Sequence, residues 1–335
     1  AFTVPGTVED ACRTLSAKGY HRQGIARGRT LLIRHPWGYW GNTLLHLGMV
    51  ITIAASLFIA LTQQRGVIHL AEGDMRYPTD PLLMEEHGLL AEPLVLPEAV
   101  RLDRLTYSFW PTYSLRQVAS TLSFLSDSGT HETKTVEINR ILAHRGVRYY
   151  QGIEFGHAFF VEVTGPTGLN RLFQLQIQHP EAPEKPGYND FHDLLGDGHL
   201  LRTKYLVDVE QKSFDHVNPL LTLRLDRQGK EMGQLPLQLG EKGNIGPYSF
   251  ELRAFTPWSR LIVVKFSGMP MIFFGFFIIS LGGVLHYFTP PREASVHTAE
   301  NGSTTVCWRA TKFAELYRDE LATLKKALGG EEHHG

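Results

Sequence analysis

Apolar positions along the chain fall into three patterns. In two stretches they run almost unbroken. Between Arg34 and Arg65 no residue carries a permanent charge, and the core of that gap, residues 41–61, reads GNTLLHLGMVITIAASLFIAL. A second uncharged gap lies between Lys265 and Arg292, with the core GMPMIFFGFFIISLGGVLHYF at residues 268–288. Each core is 21 residues long; at about 1.5 Å per residue that is roughly 30 Å, the thickness of a bilayer's hydrocarbon layer. The competing reading, two buried helices of a soluble core, would normally show a polar face, and neither core has one. Trp37, Tyr39 and Trp40 before the first stretch and Tyr287 at the end of the second stand where an aromatic belt would. The first stretch starts about 40 residues into the chain and shows no small-residue cleavage pattern, so it does not read as a signal peptide.

Between these stretches the pattern changes to alternation. Residues 117–125, 134–138, 147–153, 158–163, 172–177, 200–209, 220–225, 234–239 and 248–255 are short apolar or alternating segments set apart by Gly, Pro, Asn and Asp. They predict an all-β domain, an antiparallel sandwich or open barrel. Residues 182–198, rich in Pro, Gly and Asp, predict a surface loop, and 259–266 feeds the last strand into the second apolar stretch. At the N-terminus, Thr7 to Asp10 has capping-box spacing with Asp in the acidic position; Val8, Cys12 and Leu15 share a helical face and Gly19 is a stop. A hairpin with Gly24 or Gly28 in its turn follows. Residues 304–308 read as a strand, and Phe313, Tyr317, Leu321, Leu324 and Leu328 line one face of a C-terminal helix. The two ends are expected to meet in one small α+β unit, since neither alone buries much; a two-helix soluble tail is the plainer alternative.

Composition alone hides the two spans. With 43% hydrophobic residues, 20% charged residues and a mean hydropathy of −0.14, the averages exclude disorder but look like an ordinary globular chain. A net charge of −1 excludes a polycation built for nucleic acid. Two distant cysteines, Cys12 and Cys307, exclude a disulfide scaffold, and no Cys-x-x-Cys or Cys-x-x-Cys-His exists. No nucleophile elbow, His-Glu-x-x-His, P-loop or Rossmann pattern is present. Charge distribution says more than its sum: residues 1–40 hold Arg13, Lys18, Arg22, Arg27, Arg29 and Arg34 against Glu9 and Asp10. The positive-inside rule then places both termini in the cytoplasm and the large domain on the extracytoplasmic side of the inner membrane.

Among the 16 histidines, His46 lies inside the first span. An ionisable side chain there is costly, and a neutral imidazole in an apolar site suits haem iron. Gly48 beside it allows a flat macrocycle or another helix to approach. The competing reading is a His bonded to a neighbouring helix or kept wet near the interface. His286, two residues from the end of the second span, is a weaker ligand candidate, better read as reaching the interface. The histidines between the spans match no metal template.

Three stretches together resemble the ResB family, the B component of System II cytochrome c maturation (ResB/CcsB-like). They are residues 37–73 (WGYWGNTLLHLGMVITIAASLFIALTQQRGVIHLAEG), residues 136–152 (VEINRILAHRGVRYYQG) and residues 264–292 with the Trp-containing strand and helix beyond. The second is similar to the family's Asn-containing strand and Arg-Gly-x-Arg-Tyr/Phe-Tyr-Gln segment, and rests on Asn139, Arg145, Gly146, Tyr149, Tyr150 and Gln151. These six read either as a partner contact or as a tight turn and strand core. The resemblance implies that His46 is an axial ligand for haem b, held transiently. It implies a CcsA/ResC-like multi-spanning partner, apocytochrome c as recipient, a thioredoxin-like thiol reductant and membrane lipid as further contacts, and an accessory, non-catalytic place in a cytochrome c haem-lyase complex. A non-haem-binding docking subunit, or a different membrane assembly using the same fold, are the alternatives. Family members usually carry two spans ahead of the His-bearing one, so a fragment, one chain of a split protein or a reduced relative is expected.

The expected organisation is a cytoplasmic helix and hairpin (1–36), a transmembrane helix (37–62), an extracytoplasmic β domain (63–264), a second transmembrane helix (265–289) and a cytoplasmic strand and amphipathic helix (290–335).

Overall fold

The computed structural model describes residues 1–126, 131–196, 198–300 and 302–329, with Thr167 as backbone alone. Asp197 of the expected loop and the last six positions of the expected C-terminal segment lie outside these.

From the N-terminus, β1 (Phe2–Val4), α1 (Val8–Ala17), β2 (His21–Ala26) and β3 (Arg29–Arg34) lead through a 3-10 turn (Pro36–Tyr39) into α2 (Trp40–Thr62). There follow β4 (Gln64–Ala71), β5 (Met75–Arg76), β6 (Met84–His87), β7 (Ala99–Phe109), β8 (Leu115–Leu125), β9 (His131–Glu137), β10 (Leu142–His144), β11 (Val147–Thr164) and β12 (Asn170–Gln178). Then come β13 (Gly187–His192), β14 (His199–Leu206), β15 (Leu220–Arg227), β16 (Lys230–Leu237), β17 (Lys242–Ile245) and β18 (Tyr248–Lys265). The chain ends with α3 (Met269–Phe288), β19 (Arg292–Thr298), β20 (Thr304–Ala310) and α4 (Arg318–Leu328). It divides into two units, Ala1–Ala60 with Gly268–Gly335, and Leu61–Ser267.

In the first unit both chain ends build one antiparallel sheet, in the order β1-β20-β19-β3-β2. The Thr7 hydroxyl accepts from the Asp10 amide and the Asp10 side chain returns to the Thr7 amide, so the capping box starts α1 as its spacing predicts. Ala11, Cys12 and Leu15 of α1 and Leu324 and Leu328 of α4 share a core with Phe2, Val4, Leu32, Ala294, Val296 and Val306 of the sheet. Arg27 and Gly28, at φ 49° and 73°, form the β2–β3 turn, while Gly24 lies at a bulge. The expected helix from Phe313 is shorter. Phe313 is left-handed, a 3-10 turn occupies Ala314–Tyr317, and only then does α4 begin. At about three residues per turn, Phe313 and Tyr317 leave the stripe that Leu321, Leu324 and Leu328 continue. Glu320 on α4 is tied to the sheet: it accepts from Arg34 at 2.8 Å, from Arg292 at 3.0 Å and from the Tyr20 hydroxyl at 3.0 Å.

The second unit is all β. Its central sheet runs β10-β11-β18-β4-β6, with β12 beside β11 and β17 beside β18. Two four-stranded sheets, β5-β7-β8-β9 and β13-β14-β15-β16, complete it. The 18-residue strands β11 and β18 are long enough to serve both. Val147, Tyr149, Leu261 and Val263 pack with Leu102, Leu122 and Phe124. Phe159, Val161, Phe250 and Leu252 pack with Leu201, Tyr205, Leu221 and Leu223. The expected single sandwich or barrel is thus two sandwiches that share one long sheet. The segments 147–153 and 158–163, expected as two short strands, form the single strand β11, and 248–255 continues without a break to Lys265 as β18. Gly152 and Gly156 lie within β11 and Pro257 within β18, and the pairing continues through a bulge between Gln151 and Phe155. The expected loop 182–198 contains β13, whose backbone pairs with β14 from Gly187↔Tyr205 to His192↔Leu200 without a marked apolar alternation of its own.

Candidate functional site

α2 and α3 are each long and apolar enough to cross a membrane, over Pro36–Thr62 and Met269–Phe288. They meet along small residues. Gly41, Gly48 and Ala55 are the buried positions of α2, Gly275 and Gly282 those of α3. A Cβ on Gly48 would stand 2.7 Å from the Ile279 amide nitrogen, and one on Gly282 would stand 2.5 Å from that of Leu45. Gly48 is therefore the floor of the helix–helix contact. Three hydroxyls of these helices are satisfied locally: Thr52, Ser56 and Ser280 each donate to the carbonyl four residues back, at 2.9 Å.

His46 is different. It points away from the Gly48 contact, on the exposed face of α2 with Asn42, Thr43, Leu47, Val50 and Ile53, and no hydrogen bond to its ring is found among the described residues. His286 does not meet it. A Cβ on Gly41 would lie 2.5 Å from the His286 amide nitrogen, which places His286 level with Gly41, about 7–8 Å along the helix from His46. The His286 imidazole lies beside the Lys312 ammonium, with Nζ 3.0 Å from each ring nitrogen. Among the described residues no group of three or more His, Cys, Asp or Glu side chains is arranged to hold a metal ion.

The motif at 139–151 is in the second unit and far more enclosed. Asn139 is left-handed (φ 65°) in a turn closed by Glu137 and Arg140, rather than in a strand, a conformation that Asn tolerates well. Arg145 and Gly146, both left-handed, are the two-residue turn joining β10 to β11. The Arg145 guanidinium lies 2.8 Å from one oxygen of Glu98, and His144 Nε2 lies 2.8 Å from the other. Phe124 stacks on His144 at 4.0 Å. Tyr149 is fully buried, which pushes its phenol pKa well up, and the nearby Glu98 charge adds to the shift. Tyr150 is half-buried. Gln151 anchors the bulge: its oxygen accepts from Ser120 at 2.7 Å, and its nitrogen donates to Ser259 at 2.7 Å and to the Gly152 carbonyl at 3.0 Å.

One cluster has no signal in the sequence. Where the two sandwiches adjoin, His157 and His179 are buried among Tyr107, Phe109, Phe155, Tyr205 and Phe214. Burial lowers the His157 pKa to about 3 and that of His179 to about 4. His157 Nδ1 is 3.2 Å from the Tyr205 hydroxyl, and His179 Nδ1 donates to the Pro180 carbonyl at 2.8 Å. These residues come from five separate segments, and only their joint burial reveals them.

A model of the ResB-like family matches residues 3–321. A cytochrome c biogenesis protein CcsB from Picosynechococcus sp. is 22% identical over 271 residues, covering 81% of this chain and 52% of the relative. A protein of the same name from Microcystis aeruginosa is 26% identical over 148 residues, covering 44% of this chain and 32% of the relative. The chain thus spans about half the length of the first of these curated relatives, and less of the second.

Proposed function

The chain belongs to the ResB-like family, and from that premise we propose that it serves cytochrome c biogenesis as a membrane subunit that holds haem, as cargo, on His46. The observation that carries this reading is the contrast within α2. Its small-residue face is filled by α3 and the Thr52 and Ser56 hydroxyls are satisfied, while its imidazole, like the side chains of Asn42 and Thr43 nearer the helix start, is exposed and unbonded among the described residues. A lipid-facing imidazole left that way is costly, so a ligand or another protein is expected to take it up. The surroundings fit one axial position: an imidazole with Leu47, Val50 and Ile53 on the same exposed face. A second ligand is not offered by His286, which is held beside Lys312. The second ligand is therefore assigned to a CcsA/ResC-like multi-spanning partner, and apocytochrome c thiols on the outer face are the recipient. Six basic residues ahead of α2 support cytoplasmic termini and an extracytoplasmic Leu61–Ser267. In this reading the chain's own contribution is to retain and orient the cargo, without an acid–base step.

A second reading, a docking subunit that binds no haem, draws on the β domain. Arg145, Tyr149 and Gln151 are committed to its own turn and core, as in a rigid scaffold. Purification of the chain with its natural membrane partner after haem-replete growth separates the two. The haem reading expects a Soret band that is lost or shifted in His46→Ala. A band unchanged by the substitution would remove His46 as ligand, and a complex without haem would favour the scaffold.

A further inference from the structure

We propose that the turn at residues 88–91 is a lipid-contact point of the large domain, with Leu89 and Leu90 set into the headgroup layer at the β4 end of α2. The turn is closed by the Ala91 amide donating to the Gly88 carbonyl at 2.9 Å, which puts the two leucines at its corners. Turn corners normally take Gly, Pro, Asn, Asp or Ser, because these residues fit the backbone and tolerate water. Here Leu89 is 86% exposed and Leu90 71% exposed. Such a pair gains nothing by facing water and marks a contact with something apolar.

Its position says what that is. The Leu90 amide donates to the Leu61 carbonyl and the Gly88 amide to the Gln63 carbonyl, both at 2.8 Å, and Gln64 Nε2 donates to the Glu92 carbonyl at 2.6 Å. β6 pairs with β4 up to Gln64↔His87, immediately before the turn. The turn is therefore stapled to the last residues of α2, and Leu61 is the final apolar residue of that helix. With α2 crossing a bilayer, a reading on which this inference rests, Leu61 stands at the edge of the hydrocarbon and the turn beside it stands among headgroups. Glu85, Glu86 and Glu92 flank it as a polar rim. This is an apolar contact continuous with the span, and lipid is the occupant it fits.

The test uses the full chain in nanodiscs of phosphatidylethanolamine and phosphatidylglycerol. Three single-cysteine variants on a Cys12→Ser, Cys307→Ser background carry an NBD label: Leu90→Cys in the turn, Lys230→Cys at the start of β16 and Val50→Cys in α2. The expected result is quenching of the Leu90 label by shallow doxyl lipids, at a depth of about 5–10 Å, with protection from aqueous iodide. The Lys230 label shows the reverse, and the Val50 label is quenched by deep doxyl lipids. Iodide quenching of the Leu90 label without lipid quenching, while Val50 is lipid-quenched, overturns the proposal alone. A Leu90 label shielded from both quenchers means that protein covers the turn, which also overturns it. A Val50 label that no lipid quencher reaches removes the span itself. Should the serine background not fold, Leu90→Trp in the native background, read as added emission quenched by brominated lipid, repeats the comparison.

Discussion

The helix pair and the β domain differ in where their unsatisfied polar groups lie. In Leu61–Ser267, several polar side chains that leave the surface are given partners inside the domain, while Tyr149 Oη, His179 Nε2, His199 Nε2 and Ser249 Oγ are sealed in without one among the described residues. Glu98 joins His144 and Arg145, Gln151 joins Ser120 and Ser259, and His157 joins Tyr205. In α2 and α3 the small residues are closely matched and Thr52, Ser56 and Ser280 are bonded, yet His46 on the outer face of α2 is left without a bond among the described residues. The β domain encloses the polar atoms it leaves unsatisfied, whereas the helix pair turns His46 outward, on an apolar face.

The sharpest way to break that contrast is to attack the face of α2 that is complete. Gly48→Leu places a side chain where a Cβ already meets the Ile279 amide at 2.7 Å. It is expected to separate the two helices and abolish recovery of folded protein from the membrane, as read by detergent size-exclusion. In the β domain, Tyr149→Ala empties a fully buried site and is expected to cost about 3–5 kcal/mol, measured by denaturant unfolding of the solubilised chain.

Acid should be felt next, and in the β domain. His157 and His179 titrate at about 3 and about 4 when folded, below the roughly 6.5 of an unfolded imidazole. The unfolded chain binds more protons through that window, so their contribution is whole above about pH 6.5 and is lost as pH falls toward 4. The expected loss is of the order of 3 kcal/mol per buried imidazole. His179→Phe is expected to flatten the fall in thermal stability between pH 6.5 and 4; an unaltered slope would show that His179 is not responsible. Glu98→Ala strands His144 and frees Arg145, with an expected loss of about 2 kcal/mol, since Arg145 is already exposed. The smallest effect should come from His46→Ala, below about 0.5 kcal/mol by thermal unfolding because the ring makes no bond among the described residues. A large loss there would mean that His46 supports the helix pair and would erase the contrast.

Much of this could be read along the chain. The spans are local in composition, the Thr7–Asp10 cap is local in spacing, and Arg145-Gly146 is a local turn signal. The site itself was half legible. His46 stands out as an ionisable residue in an apolar run, but the face it takes, opposite the Gly48 contact, depends on where α3 lies. Gly48 could serve a helix or a flat ligand equally well by sequence, and its neighbours choose the helix. The family resemblance puts Asn139 in a strand, whereas the closing contact of Glu137 with Arg140 makes a turn there.

What was illegible is all long-range. β4 pairs with β18 from Gln64↔Lys265 to Ala71↔Trp258, a register between segments almost 200 residues apart. The merging of short segments into β11 and β18, the division into two sandwiches, the sealing of His157 and His179, and the stapling of Leu89 and Leu90 to the end of α2 all follow from such pairings. Which segments are apolar enough to cross a membrane, which alternate as strands, and where caps and turns stand can be read along the chain, because each depends on neighbours within a few residues. Which faces are filled and which are left open is settled only on folding, because burial and hydrogen-bond satisfaction belong to pairs of segments that are distant in the chain.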